Sequence, residues 1–508
     1  MWSRLQNVLG DENLGLGWFL TQTGGPSRCH ADNLHPIAVA TRDIEERERR
    51  LGIPPGMPII ASPEGVDYRM TQYFRFGFSV GQQSTSMTYA RELLTWMKFL
   101  DPRGARWDEA GRDDVRAFQV WRVYDESNPG RVSPATWNKG WAALNHFYSW
   151  MKANGWIDAS PVAPQDRLKD PYAASAGGHR EKNARASRDR WVTPSEFRMW
   201  RDVGLRGYGA ITEPSGRVVA GLPDDSARMR NTARNWAFVD WLIVTGLRES
   251  EAGTLLANEV PSLVGERVPI IGKGKVLRHY EAVYRMGPES MHGYLIGERR
   301  DAIRRAQRLG RYDAIDGRLE VVGDEKSGRR GRRVRLSDGS VQDVVGLTAA
   351  TRARLFVEGP SGLEPAWLWL TDAGMPMQPQ TWNKVFEAAN ARVTRARAGQ
   401  GLRSSWVHVT PHSLRYSFAL MMLIAGVRAI DAERGFGGAD PFFEFNYDAV
   451  FDDVRDLLGH ASVETTKRTY LEPVKALRRA SVFRGGSVVE MFDSLAKSSP
   501  LVGFGGHQ

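Results

Sequence analysis

From about residue 80 to 160 the apolar residues return at three- and four-residue steps, the period of an amphipathic helix. Tyr89, Leu93, Trp96, Met97 and Leu100 fall on one face, and Ser84-Thr85-Ser86 supplies cap candidates ahead of them. A second helix is predicted through Val115, Phe118 and Trp121. A third opens at Ser133-Pro134, a cap followed by proline in the first helical position. It carries Trp137, Trp141, Leu144, Tyr148 and Met151, and ends at Asn154-Gly155. A helical domain is therefore expected over 79–160, with its aromatic stripe as core.

The rhythm fails on both sides. Residues 1–78 mix glycine, proline and a charged run from Arg42 to Arg50, and form an N-terminal extension to which no role attaches. Residues 161–190 hold Pro161, Pro164, Pro171 and Gly177-Gly178, then Arg180, Lys182, Arg185, Arg188 and Arg190, which reads as an extended basic linker.

From 191 to 485 the pattern is mixed but mainly helical. Asn231-Thr232 can open a helix with Trp236, Val239, Leu242 and Ile243 on one face, broken at Gly246. Two strand-like runs, Val268–Ile271 and Val276–Tyr284, flank Gly272-Lys273-Gly274-Lys275 and predict a β-hairpin. The stretch 299–335 is rich in arginine and reads as an insertion with a basic loop containing Lys326, Arg329, Arg330, Arg332 and Arg333. Trp367–Leu370 is a short buried segment, and a helix follows from about Gln380 to Arg397. The longest wholly apolar run, Phe418–Val427, is half a membrane span and is expected to be a buried helix. Residues 428–456 read as a second insertion, and 486–508 as a tail able to dock on a neighbouring subunit. The expected fold class is mainly α with a small β-hairpin or sheet: a helical domain followed by a mixed α+β domain.

Composition narrows the partner. The 508 residues carry 69 Lys+Arg against 59 Asp+Glu, a net charge of +10, which favours a polyanion such as nucleic acid. The lone cysteine, Cys29, excludes a disulfide framework and a cysteine-rich zinc site, and fits a reducing cytoplasm. Met1-Trp2-Ser3-Arg4 leads into a polar stretch rather than a signal-peptide core, so a soluble, unexported protein is expected.

Four short segments concentrate reactive side chains. In Thr245-Gly246-Leu247-Arg248-Glu249-Ser250-Glu251, Gly246 ends one helix and Arg248 sits in the turn to the next, where a fixed guanidinium can fork two phosphate oxygens. Lys273 and Lys275 occupy the hairpin tip and can reach a phosphate or donate a proton. His412 and Arg415 of Pro411-His412-Ser413-Leu414-Arg415 lie three apart at a helix start, a good setting for an anion. Last, Leu457-Leu458-Gly459-His460 precedes Thr465-Thr466-Lys467-Arg468-Thr469-Tyr470; a phenol of ordinary pKa near 10 needs nearby cations and a base to act as a nucleophile.

Each segment is ordinary alone; their order is not. Over about residues 80–485 the chain resembles the tyrosine recombinase family, which includes the phage integrases and bacterial chromosome-dimer recombinases. The resemblance makes 79–160 the core-binding domain and 191–485 the catalytic domain. It implies that Arg248 and Arg415 are the two catalytic arginines, Lys273 the hairpin lysine (with Lys275 a substitute), His412 and His460 the two histidines, Tyr470 the nucleophile and Glu251 the supporting acid. It further implies cutting and rejoining of DNA through a 3′-phosphotyrosine, with no metal or other cofactor. The partners would be duplex DNA held in a two-domain clamp, four copies of the chain on paired sites, and accessory proteins. Arg185, Arg188, Arg190, Lys275, Arg329 and Arg330 would contact DNA, in a cytoplasmic, nucleoid-associated protein.

Two spacings depart from the family pattern. Ten residues separate His460 from Tyr470, one more than in many relatives, and the interval from Arg415 to His460 is long. Two other activities remain open at this stage: DNA relaxation of the type IB topoisomerase kind, and a catalytically silent DNA-binding accessory protein.

Overall fold

The computed structural model describes residues 17–23, 48, 50–62, 64–79, 82–162, 191–224, 229–272, 277–328, 331–401, 408–433, 447–459, 462–464 and 466–467, without the side chains of 326–328, 331 and 431–433. The chain divides into two compact units, 1–188 and 189–508.

In the first unit a three-stranded antiparallel sheet, β1 (Phe19–Gln22), β2 (Pro58–Ser62) and β3 (Gly65–Val66), precedes the helices α1 to α4. Helix α1 (Tyr68–Phe76) is capped by Asp67, whose carboxylate accepts from the Arg69 amide at 2.8 Å. Helix α2 is Gln83–Leu100, and α3 (Arg112–Gln119) runs on into a π-helical turn, Val120–Tyr124. Helix α4 (Pro134–Ala153) is capped by Ser133, as its sequence requires.

Most of the predicted stripe is core: Leu93, Trp96, Met97, Leu100, Val115, Phe118, Trp137, Leu144, Tyr148 and Met151 are buried, while Tyr89, Trp121 and Trp141 are only half-buried at its edge. Burying Trp96 and Tyr148 leaves two polar tips to satisfy. Trp96 Nε1 donates to the Tyr148 hydroxyl (2.9 Å), which in turn donates to the Trp107 carbonyl (2.8 Å).

Two details differ from the sequence reading. Helix α2 begins one residue before Ser84, because Gln82 turns back to accept from the Ser79 amide (3.1 Å), so the serines lie inside the helix. The core also does not stop at residue 79. Met57, Ile60, Met70, Tyr73 and Phe74 belong to the same apolar cluster as Trp96 and Phe147, since β2 and α1 lay their apolar faces on α2 and α4.

The second unit starts with α5 (Pro194–Leu205), opened by a reciprocal cap in which the Thr193 hydroxyl accepts from the Glu196 amide and the Glu196 carboxylate from the Thr193 amide. A hairpin follows, β4 (Tyr208–Thr212) and β5 (Val218–Pro223). Helix α6 (Thr232–Thr245), buried along most of its length, leads to the single turn α7 (Glu249–Ala252). Strands β6 (Val268–Ile271) and β7 (Leu277–Tyr280) pair antiparallel, Val268 opposite Tyr280 and Ile271 opposite Leu277. Helices α8 (Met286–Tyr294) and α9 (Arg300–Arg308) are joined by a π-helical turn.

Next comes a five-stranded sheet of β8 (Leu319–Gly328), β9 (Gly331–Leu336), β10 (Val341–Asp343), β11 (Leu355–Gly359) and β12 (Gly362–Pro365), in the order β10-β9-β8-β11-β12. The turn α10 (Ala349–Arg352) lies between β10 and β11. The chain closes its described part with α11 (Thr381–Gly399), α12 (Pro411–Glu433) and α13 (Asp448–Leu458). The fold is thus α-rich with small sheets.

Within the arginine-rich stretch 299–335 the described residues include α9 and the strands β8 and β9, so Lys326, Arg332 and Arg333 of the expected basic loop lie in strands, while Arg329 and Arg330 lie outside the described residues. Part of its charge is spent inside the protein. Buried Arg299 donates to the carbonyls of Pro365 (2.7 Å), Trp367 (3.2 Å) and Leu368 (3.2 Å). Across the β8–β9 pair, Arg332 bonds Asp324 (2.6 Å) and Arg335 bonds Glu325.

The core of this unit stacks Phe238 on Trp382 (ring centroids 3.5 Å apart), with Trp369 edge-on to both. Among the described residues one helical stretch, Pro411–Ile430, is long and apolar enough to cross a membrane. Phe418, Leu420 and Leu423 of that stretch are fully buried in the protein.

Candidate active site

The turn after α6 is built by Gly246. Its φ of +61° is left-handed, and a Cβ there would lie 2.2 Å from Cδ1 of Phe418 on α12. Only glycine lets the Thr245–Arg248 turn sit directly on α12. Gly246→Ala should combine left-handed strain with overpacking and cost about 2–4 kcal/mol, read as a lower urea midpoint.

Arg248 then caps α7. The Glu251 carboxylate accepts from the Arg248 amide (2.9 Å) and from Arg248 Nη1 (2.8 Å), so this one residue is held by backbone and side chain together. Glu251 also accepts from Nη2 of Arg278 at 2.6 Å. Burial by itself would raise the Glu251 carboxyl. The charges of Arg278 and Arg248, with the Arg248 amide, outweigh it and hold the group below its ordinary range.

Helix α12 opens with a second reciprocal cap between Thr410 and Ser413, each side chain accepting from the other's amide (3.1 and 2.9 Å). Exposed His412 lies in this first turn. Arg415, one turn on, is 4% exposed. Its Nη1 donates to the Gly246 carbonyl at 2.5 Å, and its Nη2 to the Leu458 carbonyl.

Helix α13 ends at Gly459, left-handed at φ +62°. The last carbonyls of a helix lack partners within it and carry its negative end. Here three arginines supply the donors. Arg278 takes the Leu457 carbonyl (2.8 Å), Arg415 that of Leu458, and Arg248 Nη2 that of Gly459 (3.4 Å).

Arg248, His412 and Arg415 line one open cleft of about 580 Å³, with Ser250 from α7 and Gln380 and Asn383 from the start of α11. Glu249 is the acid on its wall, and burial raises its carboxyl above the ordinary range. Two guanidiniums and an imidazole at one cleft make a site for an anion whose charge is spread over several oxygens.

The structure thus gathers Arg248, Glu251, His412 and Arg415. Lys273, Lys275, His460, Tyr470, Arg185, Arg188, Arg190, Arg329 and Arg330 lie outside the described residues. The chain is followed to Lys467, whose Nζ pairs with Asp448 Oδ1 at 2.6 Å beside the start of α13, with Thr466 buried. Among the described residues no three His, Cys, Asp or Glu side chains gather as a metal site would require.

Arg278, Gln380 and Asn383 escaped the sequence reading. Arg278 had one available signal: it is a cation in the inward phase of a strand-like run.

Residues 70–155 match the family described as phage integrase, N-terminal SAM-like domain. By this match the chain resembles the phage integrases. The matched span covers most of α1 and all of α2 to α4. It starts in α1, nine residues before the sequence reading places the helical domain, in keeping with the shared core of α1, α2 and α4.

No curated protein matches the sequence. Among solved structures, the Tn1549 transposon integrase in complex with circular intermediate DNA aligns at 12% identity over 79% of this chain and 93% of that one, with a TM-score of 0.38. The XerH site-specific recombinase bound to palindromic difH substrate aligns at 15% identity over 78% and 79%, TM-score 0.40. A lambda integrase dimer bound to a COC′ core site aligns at 12% identity over 79% and 94%, TM-score 0.40.

Proposed function

We propose that this protein is a tyrosine-type site-specific DNA recombinase. The observation that carries the reading is the cleft where Arg248 meets His412 and Arg415, more than 160 residues further along the chain. The SAM-like match over 70–155 supports a DNA partner.

In this reading the scissile phosphate lies between the two guanidiniums, which stabilise the charge that grows on its oxygens in the pentacovalent transition state. The Tyr470 hydroxyl attacks phosphorus and gives up its proton with the help of His412. The bond to the 5′-oxygen breaks, and that oxygen leaves with a proton from Lys273. The product is a 3′-phosphotyrosine, and the 5′-hydroxyl of a second strand reverses the step. His460 adds a further donor to the phosphate. Glu251 holds Arg248. The working assembly is four copies on two DNA sites, inside the cell and soluble, with accessory proteins as further partners.

The experiment is covalent trapping on nicked duplexes from a sequence library, followed by sequencing of the captured DNA. A recurrent captured site supports recombination. Relaxation of plasmids without any preferred site would instead support a topoisomerase, and binding without capture a silent accessory protein. Noncovalent affinity should also fall steeply with salt. For about five phosphate contacts, the logarithm of the binding constant should drop with a slope of about −4 to −5 against the logarithm of salt concentration. A flat dependence would count against phosphate contacts.

A further inference from the structure

Strand β7 reads Leu277-Arg278-His279-Tyr280, with Leu277 and His279 outward and Arg278 and Tyr280 inward. An arginine on the inner face of a two-stranded hairpin is costly unless its donors are met. Two of them are, and by different parts of the fold: Nη2 goes to Glu251 in α7, Nη1 to the Leu457 carbonyl at the end of α13. Its Nε is buried without a partner among the described residues. A well-packed apolar side chain would serve stability as well, so stability alone does not account for this arginine.

Gly459 points the same way. A Cβ there would lie 2.4 Å from Cδ of Arg278, on a backbone already left-handed. The Arg278 stem therefore passes against Gly459, the cap of α13, immediately before His460.

We infer that Arg278 is a positioning residue for strand transfer. It ties the Glu251 carboxylate, and through it Arg248, to the end of α13, so that the guanidinium at the cleft and the chain leading into His460 keep a fixed separation. The inference rests on the recombinase reading and names a member of the site that the motif order does not contain. Glu251 is faced by Arg248 from its own turn and by Arg278 from β7; both arginines also reach carbonyls at the end of α13, where Arg415 of α12 holds the one between them. Removing Arg278 takes away the larger of the two charges that keep Glu251 ionised.

The test compares full-length wild type, Arg278→Met and Arg278→Lys, with Arg335→Met in the exposed β8–β9 pair as a surface control. Three quantities are read: noncovalent DNA affinity, single-turnover cleavage at saturating protein across pH, and backbone hydrogen exchange over residues 457–462. Arg278→Met should bind DNA within about threefold of wild type and cleave 10- to 100-fold more slowly. The acid limb of its pH profile should move to higher pH, because a less strongly held Glu251 protonates sooner. Exchange over 457–462 should rise at least tenfold. Arg278→Lys should bring the acid limb back, since it restores the charge, but only part of the rate, since one ammonium does not span Glu251 and the Leu457 carbonyl together.

Exchange and cleavage equal to wild type in Arg278→Met would overturn the inference. So would a rate loss that merely tracks the folded fraction, with the pH profile unmoved. If wild type captures no DNA, the recombinase reading fails separately, and the exchange measurement alone then decides whether Arg278 holds the end of α13: an unchanged value refutes it and a tenfold rise supports it.

Discussion

Tyr470→Phe should abolish covalent capture of DNA while leaving noncovalent affinity within about twofold. Phenylalanine keeps the ring and loses only the oxygen that would bond phosphorus, so binding contacts survive and the chemistry does not. No other tyrosine lies close to it in the sequence. None follows residue 470, and the preceding one, Tyr447, is 6% exposed at the start of α13. The measurement is a denaturing gel on a nicked duplex that cannot religate, beside a gel-shift titration under the same conditions. A Phe variant that still forms the adduct would assign the nucleophile elsewhere. This outcome also bears on the ten-residue spacing from His460, because a tyrosine out of register would make little adduct in the wild type as well.

The second large effect is expected at Arg415. Its guanidinium joins the Gly246 carbonyl to the Leu458 carbonyl, linking two segments far apart in the chain, and it lines the cleft beside Arg248. Lysine keeps the charge but has a single nitrogen on a flexible stem. Arg415→Lys leaves one buried carbonyl unmet, at about 1–3 kcal/mol, and loses the planar, several-donor group that the proposed phosphate contact calls for. Single-turnover cleavage should fall by roughly 10²–10³-fold, the range seen when one preorganised donor to a developing charge is removed. Urea melts run in parallel separate the two effects: the stability loss should be modest and the rate loss large. Cleavage at the wild-type rate would remove Arg415 from the reacting phosphate. Arg415→Ala strips both carbonyls and should lower stability further.

The charge balance takes on a different meaning once the fold is known. A net +10 suggests a surface available to DNA. Several arginines are instead internal fasteners. Arg299 serves three carbonyls, Arg234 the Leu370 carbonyl, and Arg352 the carbonyls of Thr254 and Val344 together with Glu259. A buried guanidinium and an exposed one look alike in a sequence. Its several donors suit it to gather scattered backbone oxygens, and only the packing shows which role a given arginine has.

Local periodicity carried the helices of the first unit. The stripe from Leu93 to Met151 was legible because each residue's neighbours on a helix face are three or four positions away, within reach of the pattern itself. The motif order likewise placed Arg248, Glu251, His412 and Arg415 as a set before any geometry was known. The linkage of that set was not legible. Arg278 reaches Glu251 and Leu457, and Arg415 reaches Gly246 across 169 residues, because α6, α7, β7, α12 and α13 happen to bring their ends together. Which faces meet is settled by the packing of whole elements. The carbonyls that receive these arginines are backbone atoms, identical at every position, so no residue code marks them in advance.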